Sequence, residues 1–135
     1  MIFKTIKNRK SIKKYISKIK KEKLFFTNGD GIIEDIFEYP SDVIKLTVCI
    51  KNGKIIGHVF NIDNMYRYDC DYDVLVYVKK KHRRRGIGTF LVKKHLKKEI
   101  NNKYIGVFVN YYKKEKVNRE KFWNKVLGKG NYCGL

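Results

Sequence analysis

Residues 74–100 read VLVYVKKKHRRRGIGTFLVKKHLKKEI, and the fold is decided in this stretch. Val74, Leu75, Val76, Tyr77 and Val78 are apolar at every position. A strand of that kind is buried on both faces, which makes it central in its sheet. Seven basic residues follow at 79–85, and Gly86-Ile87-Gly88-Thr89 then opens a helical pattern. Ile87, Leu91 and His95 form one stripe and Val92, Leu96 and Ile100 the adjacent one, which predicts a helix over 86–100 packed firmly on a sheet. A strand, a glycine-containing turn and a helix start make an anion cradle. The first N–H groups of a helix lack internal partners, and the aligned peptide dipoles favour negative charge there. Glycine lets the backbone approach a phosphate with no Cβ in the way. The expected ligand is the diphosphate of a nucleotide-like cofactor.

Upstream, residues 43–50 and 54–62 form two strands around Asn52-Gly53, the preferred two-residue hairpin turn. Ile44, Leu46, Val48 and Ile50 alternate on the first, although Val43 and Cys49 blur the pattern. Ile56, His58, Phe60 and Ile62 are expected on one face of the second. Residues 66–78 form the long strand that ends in the apolar run. Earlier still, 2–6 suits a short strand. Over 11–23, Ile12, Tyr15, Ile16 and Ile19 mark an amphipathic helix. Asp30 can cap a short helix at 32–37, which Pro40 ends. Downstream, 103–109 is a fifth strand. A helix separates it from the fourth, so the two lie parallel as a right-handed βαβ unit. A last helix at 118–127 carries Phe122, Trp123, Val126 and Leu127 before Gly128 stops it. The sum is one α+β domain over 1–135, with a mixed, mostly antiparallel sheet between helices.

At 135 residues, 43% hydrophobic and 14% aromatic, the chain can bury a core. It carries 32 lysines and arginines against 13 acidic residues, a net charge of +19. Such a balance points to polyanions, nucleic acid first among them. The chain also has no Ala, no Gln and a single Pro, with heavy use of Lys, Ile, Asn and Tyr. AT-rich codon usage therefore accounts for part of the same excess, and both explanations stand. Cys49, Cys70 and Cys133 are isolated, which suggests reduced thiols rather than a disulfide framework. With His58, His82 and His95 also scattered, no metal site is expected. The N-terminus lacks a signal-peptide stretch, and no run approaches the ~18 apolar residues of a membrane span. A soluble, cytoplasmic protein is expected.

The glycine spacing separates the turn from other nucleotide sites. It is neither GxxxxGK[ST] nor GxGxxG, since no third glycine follows Gly88. What stands here is Arg83-Arg84-Arg85-Gly86-Ile87-Gly88, directly after the fourth strand. This resembles the (Gln/Arg)-x-x-Gly-x-(Gly/Ala) signature of the GCN5-related N-acetyltransferase (GNAT) family, and the strand Val five residues before the Arg is matched by Val78. The resemblance spans roughly 43–127. It implies the GNAT-like acyl-CoA N-acyltransferase fold, of three-layer α/β type, with acetyl-CoA as co-substrate and an amine as acceptor. By the same resemblance, amides from Arg84, Arg85, Gly86, Ile87, Gly88 and Thr89 hold the pyrophosphate, with Arg83 opening the cofactor-binding motif. Val76 and Val78, on a strand splayed from its neighbour, hold the pantetheine arm. Lysines 79 to 81 meet the adenosine phosphate.

Acyl transfer to an amine requires removal of the ammonium proton, donors for the oxyanion, and an acid for the departing thiolate. The resemblance implies direct transfer in a ternary complex, with a backbone N–H near Val78 polarising the carbonyl. Members often place a Glu or His where this chain has Tyr72, flanked by Asp71 and Asp73. A phenol with pKa near 10 is a poor base unless perturbed. The candidates for the base are Tyr72, Asp73, Asp71 or a water chain. Members commonly carry a Tyr acid early in the last helix, where Trp123 stands here, and indole is a donor only. Tyr112 or Tyr111 can substitute, or solvent can. Two rival readings are a basic nucleic-acid-binding module and an inactive acyl-CoA-binding protein on the same fold.

Overall fold

The computed structural model describes residues 1–25, 43–63, 72–97, 105–107 and 113–134. Strand β1 (Ile2–Ile6) leads into helix α1 (Arg9–Lys21). Then come β2 (Val43–Lys51), β3 (Lys54–Asp63) and β4 (Tyr72–Val78). A single 3-10 turn (Lys80–His82) precedes α2 (Ile87–His95), β5 (Ile105–Val107), α3 (Lys113–Leu127) and β6 (Cys133–Gly134). The six strands lie in sequence order. β1 through β4 are antiparallel, and β4–β5 and β5–β6 are parallel. β4 is thus interior, and the parallel β4–α2–β5 unit is formed as its apolar run predicts. The expected helix at 32–37 and the expected strand residues 66–71 lie outside the described residues.

Two apolar clusters sandwich the sheet. On one face Ile12, Ile16 and Ile19 of α1 pack on Leu46, Val48, Phe60, Ile62 and Leu75. Burying each such side chain stabilises the fold by roughly 1.5–3 kcal/mol. On the other face Ile87, Leu91 and Val92 of α2 and Trp123, Val126 and Leu127 of α3 pack on Val59, Val74, Val78 and Ile105. The hairpin is as the sequence dictates: Asn52 and Gly53 have φ of 51° and 73°, the two left-handed residues of a type I′ turn.

Several boundaries differ from expectation, each for a local reason. α1 begins at Arg9 because Asn8 is its cap, its side chain accepting from Ser11 N at 3.1 Å. It ends at Lys21 because Lys23 turns left-handed (φ 54°), with Leu24 N donating to Ile19 O and Lys23 N to Lys20 O, a Schellman ending. α2 ends at His95, whose carbonyl is taken by Lys45 Nζ at 2.6 Å. A cation at a helix C-terminus is favourable, and no further turn is needed to satisfy that carbonyl. α3 starts at Lys113 rather than 118, since residues 113–118 are mostly good helix formers whose apolar periodicity is weak. β6 was not anticipated, being only two residues long.

Ile56 is a correction of face. Irregularities in the β2–β3 register fall between Val43 and Lys45 and between Cys49 and Ile50, where Ile55 is opposite Ile50 and Gly57 opposite Cys49. Ile55 therefore joins the α1 cluster and Ile56 the α2 cluster, while Phe60 and Ile62 stay with α1. A bulge puts two residues of one strand against one of the other and so reverses which side chains face inward. The Val43 irregularity in the sequence pattern is the first bulge, whose extra residue Ile44 is turned out to solvent rather than joining Leu46 and Val48, whereas Cys49 is apolar because it belongs to the α2 cluster.

Candidate active site

β4 delivers the chain to the turn. Its described register with β5 covers Tyr72 to Val74, opposite Ile105 to Val107, whereas with β3 it continues to Val78 opposite Gly57. Gly57 permits the approach of α2: a Cβ there would meet Tyr77 O at 3.1 Å and Leu91 Cδ1 at 3.2 Å. Lys79 N then donates to Ile56 O at 2.8 Å and holds the chain to β3 for one residue more.

The basic run folds back on the strand end. Arg83 Nε donates to Val78 O at 2.6 Å, and its guanidinium lies 5.4 Å from the centre of the Tyr77 ring, within cation–π range. Arg83 thus braces the turn against β4. Arg84 (φ 63°) and Gly86 (φ 80°) are both left-handed, a conformation that turns successive amides toward one concavity. Gly86 is the N-cap of α2 and makes no side-chain cap bond, and the first turn holds no acidic residue. The first backbone bond of the helix runs from Phe90 N to Gly86 O, so the amides of Ile87, Gly88 and Thr89 precede the ladder. A Cβ on Gly86 would meet nothing within 4 Å, so the concavity is open there. A Cβ on Gly88 would touch the Phe122 ring at 3.4 Å and Val78 Cγ2 at 3.6 Å, so Gly88 lies under α3. The arrangement suits a diphosphate: open space, amides without partners in the helix, and no carboxylate in the first turn of α2.

The Acetyltransferase (GNAT) family matches residues 13–126. This chain belongs to that family. The GNAT fold is also found in solved structures. Aminoglycoside N-acetyltransferase AAC(6')-Iy in complex with CoA is 14% identical, with 93% of this chain and 86% of that one covered at a TM-score of 0.54. A GNAT acetyltransferase from Brucella melitensis in complex with acetyl-CoA is 18% identical over 71% of this chain and 67% of that one, at a TM-score of 0.47. Ribosomal-protein-alanine N-acetyltransferase from the same organism is 11% identical at a TM-score of 0.45, covering 72% of this chain, which spans 65% of its length. No curated protein matches by sequence.

Within this GNAT domain the expected site residues divide. Val78 lies at the turn, its O accepting from Arg83 and its Cγ2 facing Gly88, while Val76 is two residues back on β4. Tyr72 and Asp73 are both withdrawn from solvent, Asp73 completely, but adjacent strand residues point to opposite faces. Tyr72 packs with the α2 cluster, and Asp73 shares a face with Leu75 and Tyr77 on the α1 side. Tyr112 lies outside the described residues. Trp123 is 3% exposed, in the core beneath α2, and Phe122 is the α3 side chain that reaches the cradle. The two rings meet edge to face at 5.0 Å. Sequence reasoning missed Phe122 because an aromatic pair in a helix gives no sign of which ring faces inward. It also missed Arg83 as a brace, although an Arg five residues beyond the last strand residue was the available signal. Among the described residues no cluster of His, Cys, Asp and Glu could hold a metal, and no helix is long and apolar enough to cross a membrane.

Proposed function

We propose that the protein carries an acetyl group from acetyl-CoA to a primary amine by direct transfer in a ternary complex. The observation that supports this best is the open start of α2, with no side-chain cap, after the end of β4. When bound, acetyl-CoA supplies the activated thioester. The amides of Arg84 to Thr89 hold its pyrophosphate, with Arg83 keeping the turn in shape. Leu75 to Val78, about 13 Å of strand at 3.3 Å per residue, offer backbone groups through Val76 and Val78 to the arm. Asp73, two residues before Leu75, is the better base on charge grounds: a carboxylate accepts a proton from an ammonium, whereas a phenol must first be ionised. Tyr72 remains the alternative base. The nucleophilic amine forms its C–N bond as the C–S bond breaks, and the departing thiolate takes a proton from Tyr112 or solvent.

One observation favours a second reading. Trp123 is locked in the core and Phe122 stands at the cradle, so neither ring offers an acid from the described part of α3. An acyl-CoA-binding protein without turnover accommodates that equally. Calorimetry and thiol-release assays separate the two. Acetyl transfer requires acetyl-CoA binding together with CoA release on some member of a panel of primary amines. Binding with no release across diamines, amino-terminal peptides and aminoglycosides would select the second reading. Gly86→Glu is the control: it places a carboxylate in the open concavity and should abolish binding in either case.

A further inference from the structure

Helix α1 presents a face that is cationic from end to end. Arg9, Lys10, Lys13, Lys14, Lys18, Lys20 and Lys21 occupy seven of its 13 positions, and no acidic residue stands among them. Lys10, Lys14 and Lys18 recur every four residues, which puts them in one row with about 6 Å of rise between successive members. Lys13, Ser17 and Lys21 form a second row, and all six residues are exposed. The apolar stripe of Ile12, Ile16 and Ile19 is buried on the sheet. Lys4 of β1 adds a cation at the flank, its Nζ 5.8 Å from the centre of the Tyr15 ring. This charge works against the helix itself. Lysines four apart repel, and Arg9 and Lys10 in the first turn oppose the helix dipole. AT-rich codons do not require such a face, because α3 of the same chain interleaves Glu115 and Glu120 with its lysines.

We infer that this face of α1 docks double-helical nucleic acid through its phosphate backbone, without reading the bases. The 13 residues span about 20 Å, over which a duplex presents about 12 phosphates, one per ~1.7 Å of its axis. An extended acidic peptide carries at most one charge per roughly 3.3 Å, half that density. A single strand has the same half density, and its bases find no platform, since Tyr15, the one ring on α1, is half-buried beside Lys4. A helix that lies in a membrane surface buries its apolar face among the lipids, and here the sheet already covers that face. α1 packs on the opposite face of the sheet from α2, so the surface shares no residue with the cradle. The inference therefore does not depend on acetyl transfer.

Fluorescence anisotropy with a labelled duplex of about 20 base pairs tests it, the affinity of the unaltered protein falling steeply with salt. K10Q/K14Q/K18Q keeps good helix formers at three exposed positions. It should weaken binding roughly tenfold or more at about 0.1 M salt, and reduce the slope of log K against log salt by about 2.7. K93Q/K94Q/K97Q removes as many exposed charges at and just beyond the end of α2, and should weaken binding by about threefold at most. Circular dichroism and urea midpoints check that both variants fold. Equal weakening in the two variants would overturn the inference, since binding would then follow net charge alone. Failure of the unaltered protein to bind would also overturn it, as would polyglutamate or phosphatidylglycerol vesicles binding as tightly as the duplex. If acetyl-CoA binding fails while duplex binding holds, acetyl transfer falls and this inference does not.

Discussion

Arg83 donates its Nε–H to the Val78 carbonyl and sets its guanidinium 5.4 Å from the centre of the Tyr77 ring, so both contacts tie it to the strand it follows. Lysine cannot make the Nε bond to Val78 O while keeping its charge over the Tyr77 ring. Arg83→Lys should therefore cost about 1–2 kcal/mol of stability, read by urea unfolding, and loosen acetyl-CoA binding several-fold by calorimetry. A variant of unchanged stability would show the brace to be dispensable. The two glycines beside it respond differently to the same change. Gly86 faces open space, so Gly86→Glu costs the fold the ~1–2 kcal/mol of a side-chain-bearing residue at φ 80° without a clash, and sets a carboxylate where an anion would sit. At Gly88 a longer side chain meets Phe122 and Val78, so Gly88→Glu also pries α3 from α2. The motif was legible in the sequence as spacing. Which glycine faces the ligand and which faces a helix was not, because that depends on an aromatic ring brought in by a distant element.

At the scale of elements, apolar periodicity predicted the strands, α1 and α2 well, because burial on a sheet imposes it. It failed where structure is set by single hydrogen bonds. The start of α1 at Asn8 and the stop of α2 under Lys45 are decided by one side chain each. The bulges that move Ile56 across the sheet are decided by a strand pairing that no local pattern contains. The end of α1 carries the clearest prediction. Lys23 holds a left-handed conformation that costs a side-chain-bearing residue about 1–2 kcal/mol and glycine nothing comparable. Lys23→Gly should raise thermal stability by up to about 1 kcal/mol, after the extra freedom glycine gives the unfolded chain is set against it. A fall in melting temperature would mean that the Lys23 side chain makes contacts worth more than the strain.

For the whole molecule, two buried histidines govern the response to acid. His58 donates Nε2 to the Leu24 carbonyl and stacks with Phe60 and Tyr77. Burial lowers its pKa to about 4, the bond to Leu24 opposing. His95 is lowered to about 3 by burial and by Lys45. The unfolded chain binds protons to both near pH 6.5, where the folded chain binds none, so their neutral burial is without penalty above that pH. Stability then falls as pH drops below 6.5, until each folded value is reached. At pH 5 the loss should be about 2 kcal/mol per histidine, a large share of a marginal total. Urea midpoints at pH 7.5 and 5.0 measure it, and equal midpoints would refute it. His95 also orders its neighbours. Neutral imidazole donates through one nitrogen and accepts through the other. With Nε2 donating to Asn61 Oδ1 (2.7 Å), Nδ1 accepts from Thr47 (2.8 Å), whose oxygen is left to accept from Thr5 at 3.0 Å. Every proton along β1, β2, α2 and β3 therefore has one allowed direction. β1 is mostly exposed and has little apolar pattern of its own to say how it should align. The hydroxyl of Thr5 supplies that instruction: a slip of one residue turns it to the opposite face and leaves the chain of donors without its first member. The edge strand is thus spelled in place by a hydrogen-bond sentence that can be read in only one direction.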